Sequence, residues 1–259
     1  MSTIRYTDSH KGKGQDYHET FSPEVNPYRA MIWRLEQRAL NRILHDHLES
    51  RKVAHLDFAC GTGRILGHFQ GQVASATGVD VSSSMMEVAS KVAPGAELLE
   101  ADLTERDVLG DRHFDLITAF RFFPNAEPDL RREVFLILAR HLAPGGVLVF
   151  NNHKNRSSLR RRISRLLGRE SAQGTMTHAE VDALVAEARL HILEMIPLAT
   201  MPFSETHPLA PVPLLEPLER RLSGLPALAP HAQHVVYVCA AAPPYPRAGG
   251  CTEIALGTT

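Results

Sequence analysis

Cysteine is scarce in this sequence of 259 residues, which contains only Cys60, Cys239 and Cys251. These three residues are far apart and lack a metal-binding spacing, so we expect reduced thiols and no metal centre. Long apolar runs are also missing, because no stretch reaches the roughly 18 residues that indicate a membrane span. The N-terminal residues lack the apolar centre of a signal peptide, so we expect a cytoplasmic protein.

An excess of charge of one sign is absent as well. The formal net charge is −1, and 44% hydrophobic and 22% charged residues are ordinary for a globular chain. A nearly neutral chain gives no general reason to expect a nucleic-acid partner. The length accommodates one α/β domain with an elaboration, or at most two small domains. The sequence contains no internal repeat, and it leaves a monomer and a homodimer equally open.

Apolar residues recur at helical spacing from Tyr28 to Leu48 and predict an N-terminal helix that begins after Pro27. A strand-and-helix rhythm follows. Strands are predicted at residues 53–58, 76–81, 96–102, 114–120 and 147–152, and helices at residues 64–70, 82–92 and 129–141. This alternation predicts a doubly wound α/β fold with a mostly parallel sheet and helices on both faces. Ligands on such sheets bind beyond the carboxyl ends of the strands.

The C-terminal part has a different character. A basic segment at residues 155–169 precedes a capped helix at 177–189 and a strand at 190–198, and a proline-rich stretch precedes a last strand at 234–241. We therefore expect a seven-stranded sheet. The predicted divisions are an arm and lid helix (1–50), a cofactor-binding core (51–153), a cap insertion before the last strands (154–233), the final strand (234–242) and a disordered tail (243–259).

The most informative segment is the glycine turn HLDFACGTGR at residues 55–64. Glycines directly after a buried strand let a ligand approach the backbone, and the next helix offers unpaired N–H groups. The dinucleotide fingerprint G-x-G-x-x-G would require glycine at position 66, where this sequence has Leu66. The pattern D-x-x-x-G-x-G, formed by Asp57, Gly61 and Gly63, fits instead.

On these residues the chain resembles the class I S-adenosylmethionine-dependent methyltransferases, whose first motif has this form. The resemblance covers about residues 53–152 and includes a PGG turn at residues 144–146. It implies S-adenosyl-L-methionine as the cofactor, with Asp57 near its methionyl amino group. Ala59 departs from the pattern, because many members have glycine there. Since alanine is small, we expect little effect.

Acidic residues at the next two predicted strand ends strengthen the resemblance. It implies that Asp80 holds both ribose hydroxyls, because a carboxylate offers two oxygens to a vicinal diol. It also implies that Asp102 accepts a hydrogen bond from the adenine amino group, with a helix N-cap that binds no ligand as the alternative. The remaining cofactor contacts implied by the resemblance are Tyr17 from a closing arm, Val81, Met85, Leu103 and Phe120.

Acceptor-binding residues are expected in the lid, at the ends of strands four and five, and in the cap. The segment AFRFFPN at residues 119–125 lacks the Pro-Pro-aromatic signature of enzymes that methylate exocyclic base nitrogens and glutamine amides, which argues against those substrates. His153 is the candidate general base, because the normal pKa of histidine lies near neutrality; a structural histidine is the alternative. The candidate substrate residues are Tyr28, Arg29, Arg121, Phe123 and His207.

The resemblance implies a methyltransferase for a small-molecule acceptor, with a hydroxyl oxygen as the favoured site. The segments FRFFPNAEPDLR and FNNHKNRSS are similar to methyltransferases of glycan and natural-product clusters, which implies an acceptor of that type. Methylation of nitrogen or carbon by the same fold is an alternative, and so is a cofactor-binding regulatory protein without activity. A nicotinamide oxidoreductase is disfavoured by Leu66. The arginines at residues 156–169 indicate a solvated helix face, with a site for a phosphate-bearing or acidic substrate, or a membrane surface, as the alternatives.

Overall fold

The computed structural model describes residues 19–49, 52–168, 175–202 and 211–241. The described strands are β1 (Ala54–Phe58), β2 (Ser75–Asp80), β3 (Glu97–Glu100), β4 (Phe114–Ala119), β5 (Leu142–Asn152), β6 (Leu190–Leu198) and β7 (His234–Ala241). The described helices are α1 (Pro27–Leu48), α2 (Arg64–Phe69), α3 (Ser83–Val92), α4 (Pro128–Arg140), α5 (Leu159–Leu166), α6 (His178–Glu187) and α7 (Val212–Leu222), followed by a 3-10 segment (Pro226–His231). Within these ranges, no helix has the length and apolar character needed to cross a membrane.

All seven of these strands form one sheet with the order β3-β2-β1-β4-β5-β7-β6. Neighbours from β3 to β5 are parallel, whereas β7 runs antiparallel to both β5 and β6. The chain order reverses between β1 and β4, and a crevice is expected there at the carboxyl ends of the strands. The predicted doubly wound fold with a mostly parallel sheet of seven strands is therefore confirmed.

Two apolar clusters cover the two faces of the sheet. Along β5, Leu148 and Phe150 belong to one cluster while Val147 and Val149 belong to the other, because successive side chains of a strand point to opposite faces. Helices α4 and α6 contribute to the first cluster, and α1 contributes to the second. Both faces are thus covered, as the near-continuous apolar runs of the parallel strands predict.

Helix α1 is a core element over most of its length. Asn26 caps it by accepting the Arg29 N–H at 2.9 Å, and Pro27 occupies its first position. Its apolar stripe is fully buried, and the helix packs against β5, β6 and α7. The lid predicted for residues 1–50 therefore does not include this helix, whose first turn alone reaches the site. Residues 1–18 lie outside the described residues.

Two further boundaries differ from the sequence-based predictions. Strand β5 begins at Leu142 and incorporates the PGG turn, where Gly145 has a φ of 72° and the register with β4 shifts. The region predicted as a cap, residues 154–233, is not one unit. Strand β6 is the edge strand of the main sheet, and α6 packs on it. Among the described residues of this region, those on the cavity wall are in the segment from Lys154 to the first turn of α5, together with Gln233.

Candidate functional site

A cavity of about 510 Å³ lies at the carboxyl ends of the parallel strands, where the doubly wound fold predicts a ligand. Its wall is built from the segments that follow β1 to β5, together with the first turns of α1 and α5. Most of the predicted site residues meet there. Those on the wall are Arg29, Asp57, Ala59, Gly61, Asp80, Val81, Met85, Asp102, Leu103, Phe120, Arg121 and His153.

Three predicted site residues have other positions. Tyr28 and Phe123 are 1% and 0% exposed and belong to the two apolar clusters, so their assignment to the substrate is corrected to a core role. Gly63 does not line the cavity either. A Cβ there would lie 3.0 Å from Ala89, and its φ is 74°, so helix packing and backbone conformation require the glycine. Tyr17 and His207 lie outside the described residues.

The turn after β1 has two left-handed residues on the cavity wall. Gly61 has a φ of 54°, and a Cβ on it would meet no atom within 4 Å, so the backbone conformation alone accounts for the glycine. Ala59 has a φ of 51°. The small size of alanine is therefore not the relevant property, because a left-handed conformation costs an L-residue about 1–2 kcal/mol.

Asp57 is almost fully buried and belongs to a chain of hydrogen bonds. The Thr118 hydroxyl donates to Asp57 Oδ1 at 2.7 Å, and His55 Nε2 lies 2.8 Å from the same hydroxyl oxygen. Since the single hydroxyl proton goes to Asp57, His55 donates from Nε2. Burial lowers the pKa of His55 to about 3, so its ring is neutral in this chain of bonds.

Burial also raises the pKa of Asp57 to about 7. The Thr118 hydrogen bond and the charge of Arg64 oppose this rise, and the nearby charge of Asp80 adds to it. A carboxyl in this state gains from a cation placed beside it, because the cation stabilises the ionised form. The site therefore favours a ligand that brings a positive group to Asp57.

The carboxylate of Asp80 is oriented by the backbone. The Gly61 N–H donates to Oδ2 at 2.8 Å, and the Ser82 N–H donates to Oδ1 at 2.9 Å. These two contacts, one to each carboxylate oxygen, fix the orientation of the group, and a carboxylate offers two oxygens as acceptors. Such an arrangement suits a vicinal diol.

Asp102 caps a turn at residues 103–105 and not the helix that the sequence left open as the alternative, because no helix begins there. Its Oδ1 accepts from the Thr104 N–H at 2.9 Å and from the Thr104 hydroxyl at 2.7 Å, and the contact with adenine stays a prediction. Its Oδ2 has no hydrogen-bond partner among the residues described. Because Asp102 is on the cavity wall, this second oxygen can accept from a ligand without disturbing the cap.

A buried ion pair connects α1 to the glycine turn, and the sequence analysis missed it. Glu36 is fully buried, and its Oε2 accepts from Arg64 Nη1 at 3.0 Å while its Oε1 accepts from Asn151 Nδ2 at 3.1 Å. The Arg64 guanidinium lies 3.9 Å from the centroid of the Trp33 ring. The available signal was an acid within the apolar stripe of α1, because a buried charge requires a partner.

The end of β4 has a strained backbone at the cavity wall. Arg121 has a φ of 62°, and its N–H donates to Asn151 Oδ1 at 2.6 Å while its carbonyl accepts from Asn125 Nδ2 at 2.5 Å. Such conformations persist where the surroundings fix them, and they cluster at binding sites. Arg121 lines the cavity, and its contact with a ligand stays a prediction.

Charges are separated across the cavity. The three carboxylates Asp57, Asp80 and Asp102 lie at the carboxyl ends of β1, β2 and β3 in one half of the sheet. Lys154, Arg160 and Arg161 follow β5 in the other half. Arg160 and Arg161 belong to the run predicted as a solvated helix face, with a substrate site as one alternative, whereas no sequence pattern singled out Lys154. His153, also after β5, is 9% exposed on the wall and packs edge-on against the His234 ring.

Comparison with known proteins agrees with this geometry. Residues 56–146 match a family model described as a methyltransferase domain. The chain is 33% identical over 135 residues to dTDP-4-amino-2,3,4,6-tetradeoxy-D-glucose N,N-dimethyltransferase from Saccharopolyspora spinosa, with 51% of this chain and 53% of the relative covered. It is 30% identical over 145 residues to dTDP-3-amino-3,6-dideoxy-alpha-D-glucopyranose N,N-dimethyltransferase from Streptomyces fradiae. That match covers 54% of this chain and 48% of the relative. The chain thus spans about half the length of the curated relatives it matches.

Solved structures share the fold at low identity. Magnesium protoporphyrin IX methyltransferase from Synechocystis PCC 6803 with bound SAH has a TM-score of 0.65 and 12% identity, with 91% of this chain and 98% of that chain covered. An S-adenosylmethionine-dependent methyltransferase from Clostridium acetobutylicum has a TM-score of 0.55 and 15% identity. The match covers 89% of this chain and 98% of that chain. These structures show a shared fold, and the domain match confirms the resemblance indicated by the sequence motifs over residues 56–146.

Proposed function

This chain carries a methyltransferase domain with the class I fold, and we propose that it transfers a methyl group from S-adenosylmethionine to an amine nitrogen of a small-molecule acceptor. The observation that carries the proposal is that Asp57, Asp80 and Asp102 meet at one cavity from three successive strand ends. An amine acceptor is supported by the curated relatives, each of which is described as an N,N-dimethyltransferase of a dTDP-linked amino sugar.

The residues on the wall fit this cofactor. The backbone-oriented carboxylate of Asp80 suits the ribose diol, and Asp102 Oδ2 suits the adenine amino group. Asp57, with its raised pKa, gains from the methionyl ammonium group. Met85 and Leu103 give apolar surface for the adenine ring. Each of these assignments uses an acceptor or a surface that the wall of the cavity already has.

A nicotinamide dinucleotide fits less well, because the contact between α2 and the sheet is built differently. In the dinucleotide fold the third glycine lies on the helix and lets it approach the strand. Here the helix has Leu66 at that position, and the glycine is on β2. A Cβ on Gly78 would lie 2.6 Å from Leu66 Cδ1, so the leucine fills the space that the strand glycine leaves.

S-adenosylmethionine held by Asp57, Asp80 and Asp102 would supply an electrophilic methyl group for the acceptor nitrogen. An amine attacks only in its uncharged form, so an acceptor ammonium must first lose a proton. His153 is on the wall, and we choose it as the group that accepts this proton because an imidazole is a common general base in catalysis. The wall also excludes water and aligns the acceptor, which supplies much of the acceleration.

Methylation of a hydroxyl oxygen is a second candidate, because a histidine on the wall is the base that a hydroxyl acceptor requires. A matched pair of acceptors separates the two: a dTDP-linked amino sugar and the corresponding dTDP-linked sugar with a hydroxyl at the same carbon. We expect mass spectrometry to detect added methyl groups on the amino sugar alone. Methylation of the hydroxyl sugar alone would replace nitrogen by oxygen in the proposal.

His153→Ala tests the proton acceptor. We expect kcat/KM with the amino sugar to fall roughly 10²-fold at neutral pH, as is typical for loss of a general base. The loss should shrink at alkaline pH, where more of the acceptor amine is already uncharged. A loss that is equal at all pH values would assign His153 a structural role instead.

A further inference from the structure

We propose that Lys154, Arg160 and Arg161 form a subsite for the phosphate groups of the acceptor, at the end of the cavity opposite to the three carboxylates. This inference rests on the proposed function, because it assigns the second half of the same cavity to the acceptor. The shared ligand chemistry is a phosphate ester or a diphosphate. Its two sources are a nucleotide-linked acceptor and an acceptor that carries phosphate alone.

The first observation is the orientation of α5. A surface helix normally buries its apolar face and exposes its charges. Here the apolar residues Leu159 and Leu166 are 42% and 87% exposed, whereas Arg160 and Arg161 are partly buried and line the cavity. The arginines therefore face inward although burial of the leucines would be more favourable. A role inside the cavity accounts for this inverted arrangement, and a solvated helix face does not.

The second observation is the pairing of Arg160. Its Nη1 donates to Gln233 Oε1 at 3.1 Å, and this neutral amide is its hydrogen-bond partner among the described residues. No described carboxylate lies within ion-pair distance of the Arg160 guanidinium, in contrast to Arg64, which is paired with Glu36. A half-buried guanidinium without a counter-charge attracts an anionic ligand.

The third observation is that the segment holding these cations is rigid. Asn155 is 1% exposed, its Nδ2 donates to the Ala232 carbonyl at 2.8 Å and its Oδ1 accepts from the Ser157 N–H at 3.0 Å. Ser158 is fully buried and caps α5 by accepting from the Arg161 N–H. Lys154 Nζ donates to Asn125 Oδ1 at 2.5 Å. The cations are thus held in position before a ligand binds, which lowers the entropic cost of binding it.

The ligand that matches this wall is a group with several anionic oxygens. Planar guanidinium groups bind phosphate oxygens in a bidentate manner, and an ammonium adds a point charge. A sugar hydroxyl or a carboxylate would use fewer of these donors. The acidic half of the cavity repels such an anion, so the charge separation fixes which end of the acceptor enters first.

The test is calorimetric titration of the purified full chain with dTDP, with pyrophosphate as a second probe. The double variant Arg160→Gln/Arg161→Gln removes the two guanidinium groups. Arg162→Gln is the matched control, because Arg162 is on the same helix, is exposed and does not line the cavity. S-adenosylhomocysteine (SAH) is titrated into all three proteins to report folding and the cofactor site.

We expect the double variant to bind dTDP at least tenfold more weakly than the wild type, a difference of about 1.4 kcal/mol in binding free energy. The Arg162→Gln control should keep the wild-type dTDP affinity within about twofold. SAH should bind all three proteins with equal affinity. Tighter binding of dTDP than of pyrophosphate supports a nucleotide-linked acceptor, and equal binding supports recognition of the phosphates alone. Equal dTDP affinity in the double variant and the control overturns the subsite, as does SAH binding without dTDP binding. Arginine-dependent dTDP binding without SAH binding would keep the subsite and overturn the proposed function.

Discussion

At the scale of single residues, the protonation of Asp57 depends on its burial beside Thr118. Its folded-state pKa of about 7 is above the ordinary value of 3.8, so between these pH values the folded protein holds a proton that the unfolded chain has lost. The folded state therefore loses stability as the pH rises through this window. A bound ammonium group reverses the effect by favouring the carboxylate.

This linkage predicts that SAH binds more tightly as the pH rises from 5.5 to 7, by up to about tenfold per pH unit, with at most about a twofold further gain between pH 7 and 8, because a carboxyl with a pKa of about 7 is half ionised at pH 7. Calorimetry in buffers of different ionisation enthalpy should detect release of one proton below pH 7. Asp57→Asn should bind SAH weakly and without this dependence. A wild-type affinity that is constant over the range would contradict the assignment of Asp57 to the ammonium group.

Ala59 gives a prediction about stability. Its φ of 51° costs an L-residue about 1–2 kcal/mol, and glycine at this position would relieve the strain. Part of this stabilisation is offset, because glycine also makes the unfolded chain more flexible. We expect Ala59→Gly to raise the free energy of unfolding by about 0.5–1 kcal/mol in urea titrations. Ala76→Gly, in β2 and not among the positive-φ residues, is the control and should destabilise. Equal losses in both variants would show that Ala59 is unstrained.

At the scale of elements, the ion pair between Glu36 and Arg64 ties α1 to the glycine turn. Arg64→Met would leave Glu36 buried without its counter-charge, and we expect a loss of about 3–5 kcal/mol in the free energy of unfolding. Adding Glu36→Gln should recover most of this loss, because the remaining amide carries no charge. A double-mutant cycle in urea measures the coupling; strictly additive losses would mean that the pair contributes nothing.

The elements also show where sequence patterns suffice. Strands β6 and β7 were predicted with their observed bounds, because each is an apolar run between clear turn signals. The start of β5 was missed, because Pro144 and Gly145 predict a break, whereas the strand accommodates them as an irregularity. The orientation of α5 was not predictable, since helical spacing identifies an apolar face but not whether that face is buried.

At the scale of the whole molecule, the sheet order explains which part of the site could be predicted. Asp57, Asp80 and Asp102 follow parallel strands, so their convergence is a consequence of the fold. The contacts that orient the site join distant segments, such as Thr118 with Asp57 and Asn151 with Glu36, which are 61 and 115 positions apart. No local pattern encodes such pairs.

The central claim is that this cavity holds S-adenosylmethionine through Asp80, and titration of the purified protein with SAH tests it most directly. NAD and NADP serve as ligand controls, and Asp46→Asn, an exposed acid on α1, is the control for Asp80→Asn. We predict that the wild type binds SAH at one site with micromolar affinity and that Asp80→Asn lowers this affinity at least tenfold. Asp46→Asn should bind SAH with the affinity of the wild type. Preference for a nicotinamide dinucleotide, or an SAH affinity that Asp80→Asn leaves unchanged, would contradict the account.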